Sequence, residues 1–310
     1  DRVPMGSCGS SGIPSNALLE PPPFREPSLA DQALQFSQAG VPMLYPMYTI
    51  MVSDFMEMTG VRSHQRLKAM GLARRYGFAS DCPAVFISHQ WCGAIHPDPF
   101  FRQLGMLQDI FQAAADRTLK VDEDILSAIY KGTRATAVSP SGFQSVMFWC
   151  MWYDYFSVPQ PEAIGEGPSP APNETTQLLR QDQLKAIASL PAYVDMCQHF
   201  FVLAPRVLHE SGHELNYLSW KSRGWCRLER LARALLAKDP RAFLVRRADT
   251  LLEIDPGESV FAPVGTGAFS CEDDRVFLAR IVRRLFDIRL AKLDAEMRFH
   301  DYRCTMALRS

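Results

Sequence analysis

Neither sign of charge prevails in this chain: 33 lysines and arginines stand against 34 aspartates and glutamates, a formal net charge of −1 at pH 7. With a pI near 6.7, bulk electrostatics gives no reason to expect nucleic acid or an anionic membrane as partner. Long apolar runs are missing as well. None reaches the roughly 18 residues that span a bilayer; the nearest, 41–52, is short and holds Pro42 and Pro46. Residues 1–27 are rich in Pro, Gly and Ser and lack the apolar stretch of a secretory leader. The chain starts at Asp1 rather than Met, which leaves room for an upstream segment. No two cysteines form a C-x-x-C pair, and Cys8, Cys82, Cys92, Cys150, Cys197, Cys226, Cys271 and Cys304 are scattered, several inside apolar runs. That usage reads as reduced thiols of a cytosolic or nuclear protein, not as a disulfide framework. There is no internal repeat.

What is present is apolar mass. Of 310 residues, 47% are hydrophobic, enough for one large domain or two small ones. Residues 1–27 are expected to be a disordered lead. Residues 28–38, 45–58 and 63–76 read as short amphipathic helices, the last starting at a Ser cap and stopping near Gly77. Together, 28–80 form an expected helical extension.

The pattern changes at Pro83. Ala84-Val85-Phe86-Ile87-Ser88 is continuously apolar and then polar, as a central parallel strand reads when both its faces are covered. A loop follows, then a helix over 99–117 with Phe101, Leu104, Leu107, Phe111 and Ala114 at helical spacing. Residues 120–143 read as an insertion with a short acidic helix. A second buried strand lies within 144–154 and ends at Asp154. The stretch 157–173 holds five prolines and two glycines, so it is expected as a long loop. A helix over 173–192 leads to a third strand, 199–204, stopped by Pro205. A polar loop then opens the helix 225–238, rich in Leu, Ala and Arg. A fourth, shorter strand is expected at 242–245. The chain closes on a long helix whose first turn carries Glu272, Asp273 and Asp274, suited to the helix dipole.

Strands alternating with helices imply an α/β fold, a parallel sheet with helices on both faces. Ligands of such sheets bind outside the carboxyl ends of the strands. That rim would gather Ser88 to Trp91, Asp154 to Pro159, Ala204 to Arg206 and the start of the 225–238 helix. In that helix Glu229 follows Trp225 by four residues, so ring and carboxylate share a face.

In this order the segments resemble the Toll/interleukin-1 receptor (TIR) domain family, over roughly 83–290 within a domain set at 81–300. Val85-Phe86-Ile87-Ser88 is similar to the family's opening strand, and Phe148 to Asp154 to its second. The loop 155–173 would be the so-called BB loop. Ala186-Ile187-Ala188-Ser189 followed by Cys197 to Pro205 resembles a further family stretch. Trp225-Cys226-Arg227-Leu228-Glu229 matches the Trp-Cys-x-x-Glu of plant-like members. Where enzymatic members often carry Arg after the first strand, this chain has His89-Gln90-Trp91.

The resemblance implies a flavodoxin-like fold and NAD+ as substrate rather than cofactor, cleaved between nicotinamide and ribose as in stress or immune-type signalling. Glu229 would be the catalytic carboxylate. Trp225 would wall the site, Ser88, His89 and Trp91 would face the dinucleotide, and Tyr155 or Phe156 would stack on a ring; Asp154 would either cap its own loop or touch a ligand hydroxyl. The resemblance also implies a cytoplasmic homo-oligomer without a membrane span. Two other functions fit the same segments: a non-catalytic TIR-type adaptor acting by self-association, and a nucleoside deoxyribosyltransferase-like N-glycosidic enzyme.

His89, Cys92, His96 and Asp98 stand close together, but their spacing fits no zinc module and lacks an evident fourth ligand, so no metal is expected. Cys226 has no implied His partner, against a cysteine protease. Arg223, Arg227, Arg230 and Arg233 crowd one helix, with a solvated face as the default, although Arg223 or Arg227 could meet a phosphate.

Overall fold

Ala84–His89, a strand buried along its whole length, stands at the centre of the sheet. A computed structural model gives the fold and describes residues 35–77, 80, 82–123, 129, 139–161, 174–255, 257–258 and 262–309. In chain order its strands are β1 (Gln35–Phe36), β2 (Pro42–Met43), β3 (Tyr48–Met51), β4 (Arg74–Arg75), β5 (Ala84–His89) and β6 (Lys120–Asp122). The later ones are β7 (Cys150–Trp152), β8 (His199–Leu203), β9 (Val207–Leu208), β10 (Glu214–Leu215), β11 (Ala242–Arg247) and β12 (Thr250–Ile254). The helices are α1 (Val52–Met56), α2 (His64–Ala69), α3 (Arg102–Ala115), α4 (Asp154–Ser157) and α5 (Glu174–Ala188). They continue with α6 (Leu190–Met196), α7 (Tyr217–Ser222), α8 (Gly224–Leu236), α9 (Asp273–Ala295) and α10 (Phe299–Arg309).

Eight strands form one mixed sheet in the order β4-β3-β7-β5-β8-β11-β12-β6. The central four, β7-β5-β8-β11, are parallel. In chain order they run second, first, third, fourth, which is the flavodoxin-like arrangement. The fold is therefore α/β, with the switch in strand order between β5 and β8.

Side-chain alternation along β5 explains the two layers. Phe86 stacks on Trp152 at 4.3 Å and on Phe200 at 5.3 Å, in the core that α6, α8 and α9 cover. Val85 and Ile87 point to the opposite core, shared with α3 and the aromatic residues Phe111, Phe143 and Trp149. A strand covered on both faces has no polar side to present, hence its unbroken apolar run.

Several elements differ from the sequence expectation. Residues 48–51, read as helix, form β3, which pairs antiparallel with β7 and extends the sheet together with β4. Their β-branched and aromatic residues, all buried, suit a pleated surface better than a helix face. Ser63 caps α2 as expected, its hydroxyl accepting from Arg66 N, but the helix expected over 63–76 ends at Ala69, with Arg74–Arg75 in β4, and Gln35–Phe36 of the helix expected over 28–38 form β1. The second strand is shorter than expected because 3₁₀ turns over Pro140–Phe143 and Val146–Phe148 precede it. The helix expected over 173–192 breaks at Ser189, before Pro191, into α5 and α6. The β9–β10 hairpin, α7, β12 and α10 were not foreseen. The lead at 1–27, residues 28–34, most of the 120–143 insertion and residues 162–173 lie outside the described residues.

One cysteine expectation is corrected: Cys82 and Cys150 are joined by a disulfide. They are 68 residues apart, so spacing gives no hint of the pairing. The sheet register supplies it, because Cys150 stands opposite Ala84 and donates its backbone N–H to Pro83 O.

Candidate active site

At the carboxyl end of β5 the chain turns polar at the point where a parallel sheet opens a crevice. Ser88, fully buried, donates its hydroxyl proton to Glu229 Oε2 at 2.5 Å. Its oxygen accepts from Trp220 Nε1 at 3.0 Å. An indole nitrogen only donates, so Trp220 dictates which way the single Ser88 proton points. Ser88 is the only hydrogen-bond partner of Glu229 among the described residues.

Glu229 keeps a partial opening to solvent, yet protein surrounds it densely. Burial pushes its carboxyl up to about 8, against the lowering effects of the Ser88 hydrogen bond and of His89, while Asp154 adds to the rise. With its pKa near 8, the Glu229 carboxyl is largely protonated at neutral pH.

Beside this pair lies a buried ion pair. His89 Nε2 meets Asp154 Oδ1 at 2.8 Å, with the imidazole enclosed and the carboxylate about one-third exposed. Burial alone would lower the His89 pKa, but the charge and hydrogen bond of Asp154, helped by Glu229 and Asp98, prevail and raise it. Burial likewise works to raise Asp154, and His89, Trp91 and the Tyr155 backbone N–H bring it below the ordinary carboxylate value. Both shifts favour imidazolium and carboxylate. Trp91 Nε1 donates to Asp154 Oδ2 at 2.8 Å, and Tyr155 N donates to Oδ1 at 2.5 Å. The His89 ring stacks on Tyr153 at 4.1 Å. His89 Nδ1 and the Tyr153 hydroxyl are buried without a hydrogen-bond partner among the described residues, a cost that native cores usually avoid.

Ser88, His89, Trp91, Asp154 and Glu229 are therefore brought into one linked array at the strand ends. Two other candidates stand apart from it. Trp225 turns toward α9, donating Nε1 to Asp274 Oδ2 at 2.8 Å and packing on Phe277. The acidic first turn of α9 offers the indole a partner that the crevice does not. The Tyr155 ring is buried edge-on against Trp91 at 6.0 Å, and Phe156 is fully buried, so neither presents a stacking surface.

The arginines of α8 are also corrected. Arg230 is 4% and Arg233 1% exposed. Arg233 donates to the carbonyls of Cys197, Gln198 and Arg241, and Arg230 to those of Pro240 and Asp255. Arg227 is tied to the carbonyls of Lys221 and Pro263. Of the His89–Asp98 group, Asp98 caps α3, accepting from Arg102 N and Leu104 N.

Reasoning from sequence passed over Trp220 and Tyr153. A lone Trp in an otherwise polar loop, and a Tyr directly before the strand-ending Asp154, were the only signals for them.

A cleft of ≈ 500 Å³ opens beside the array, between the loop after β5, the β9–β10 hairpin and α7. Gln90 and Trp91 line it on one side; Ser219, next to Trp220, lines it on another. Gln90 joins the two walls through hydrogen bonds to Asn216 O and Ser219 Oγ. Among the described residues no helix is long and apolar enough to cross a membrane. No protein-family model, curated protein or solved structure matches the chain.

Proposed function

We propose that the chain is a TIR-like glycohydrolase that cleaves the nicotinamide–ribose bond of NAD+, with Glu229 as the catalytic carboxylate. The observation that carries this reading is the placement of Glu229: a partly open carboxyl with a raised pKa, held by Ser88 at the switch in strand order. A carboxyl perturbed by burial in such a crevice is a candidate functional group.

The chemistry needs little else. Nicotinamide leaves with the electron pair of the C1′–N bond, becoming neutral, so no strong acid is required. The ribose left behind has oxocarbenium character, which a carboxylate stabilises. Water attacks C1′ and yields its proton to Glu229, giving ADP-ribose, nicotinamide and one proton. The positive pyridinium of bound substrate favours ionised Glu229, lowering its pKa toward the working form. Ser88, oriented by Trp220, steadies one carboxylate oxygen and leaves the other for substrate. The His89–Asp154 ion pair balances charge beside the site and fixes Trp91.

Purified protein at high concentration is expected to release nicotinamide from NAD+. Glu229→Ala is expected to reduce that release by about 10²–10³-fold, the usual loss for an electrostatic stabiliser. Chromatographic quantitation of nicotinamide, with circular dichroism to show that the variant is folded, checks this. Release that survives Glu229→Ala would overturn the assignment.

A further inference from the structure

The cleft beside the array has a composition of its own. Its lining includes Arg223, His209 and His213 and no carboxylate. In a chain whose charges balance, a concavity lined by three basic side chains, with the neighbouring Glu210 carboxylate engaged by Ala94 N, is a place for an anion.

The local geometry prepares His209 and Arg223 to donate. Ser211 N donates to His209 Nδ1 at 3.1 Å, so a neutral His209 carries its proton on Nε2. The Ser211 hydroxyl bridges His209 Nδ1 and His213 Nδ1 at 2.8 Å each, and the two rings stack at 4.4 Å. Arg223 Nη2 donates to Ser270 Oγ at 3.1 Å, its only side-chain hydrogen bond among the described residues. Most of its guanidinium N–H groups therefore remain for a ligand.

The hairpin that carries the histidines is fastened in place. Glu210 N donates to Cys92 O at 2.8 Å, and Glu210 Oε1 accepts from Ala94 N at 2.7 Å. Gly93 permits this approach, since a Cβ there would stand 2.6 Å from Glu210 Oε2. The cleft is thus preformed, which lowers the entropic cost of filling it.

We infer that this cleft is a phosphate subsite, built on His209, His213 and Arg223, that holds the pyrophosphate of a dinucleotide whose glycosidic bond lies at Glu229. The inference rests on the reading of Glu229 given above for the identity of the ligand. Adjacent residues join the two places: Ser219 lines the cleft while Trp220 bonds Ser88, and Trp91 lines it while bonding Asp154. A subsite of this kind selects phosphorylated substrates and disfavours free nucleosides.

Calorimetric titration with ADP-ribose, adenosine and inorganic pyrophosphate tests it, on wild type, Arg223→Gln and the double variant His209→Gln/His213→Gln. ADP-ribose is expected to bind at least about tenfold tighter than adenosine. Each variant should lose about tenfold for ADP-ribose and keep the wild-type affinity for adenosine. Equal affinities for ADP-ribose and adenosine, or variants that bind ADP-ribose as wild type does, would overturn the subsite. Pyrophosphate binding as tightly as ADP-ribose would overturn its assignment to a dinucleotide. Because binding needs no turnover, the subsite survives if NAD+ is bound but never cleaved; that result counts against Glu229 as catalyst alone.

Discussion

At the scale of single residues, the protonation of Glu229 makes two measurable statements. Its folded-state pKa of about 8 lies above the ordinary value of 4.5, so the folded chain binds the extra proton between them. The contribution of Glu229 to folding stability is then fully present below about pH 4.5 and is lost as pH rises through 8. Glu229→Gln, which imitates the protonated acid, is expected to flatten that decline. Its Tm should exceed that of wild type at pH 8 and match it near pH 4, as thermal unfolding across pH will show. Catalysis should run the opposite way. If the carboxylate is the working form, kcat/KM for NAD+ rises with pH through about 8, since that parameter reports the free enzyme. On the proposed reading, the site would be stabilised in one protonation state and work in the other, a common conflict between stability and activity. The sequence made Glu229 and Ser88 visible because each closes a recognisable segment. Trp220 was not visible, since its role is a single hydrogen bond across 132 residues of chain.

At the scale of elements, α8 is where pattern reading was least complete. Composition located the helix to within two residues at either end. It did not reveal that the basic side chains turn inward. Helix periodicity registers charge as exposure, but a guanidinium can lie buried where carbonyls at strand ends need donors. Arg233 meets that need at the start of β8, at Cys197 and Gln198. Arg233→Leu would leave three carbonyls without this partner and is expected to cost about 3 kcal/mol or more. A fall in the urea midpoint with an unchanged slope would register it. Gly224, at the start of α8, and Gly267, in the connector before α9, act by a different route. A Cβ on Gly267 would lie 2.6 Å from Gly224 Cα, so the connector before α9 touches the helix start directly. Nothing in the residue pattern announces such backbone-on-backbone contact.

For the whole molecule, the parallel core was legible and its margins were not. β5, β8 and β11 announced themselves as apolar runs because both layers cover them. β3, β4, β6 and β12 are short and read as helix, loop or nothing, since strand propensity over two to five residues is weak information. Phe86 is where the covered strands meet, stacked between Trp152 and Phe200. Phe86→Ala is expected to cost about 3–5 kcal/mol, read from chemical denaturation, because a rigid sheet collapses little around the void.

The margins also bear on assembly. The sheet ends at Arg74–Arg75 on one side, both side chains exposed, and at Lys120–Asp122 on the other. Two or three residues offer an incoming chain few free backbone groups, and the two arginines of β4 repel a second copy of that edge. Among the described residues, these two edges are therefore poorly suited to joining copies of the chain side by side into ribbons.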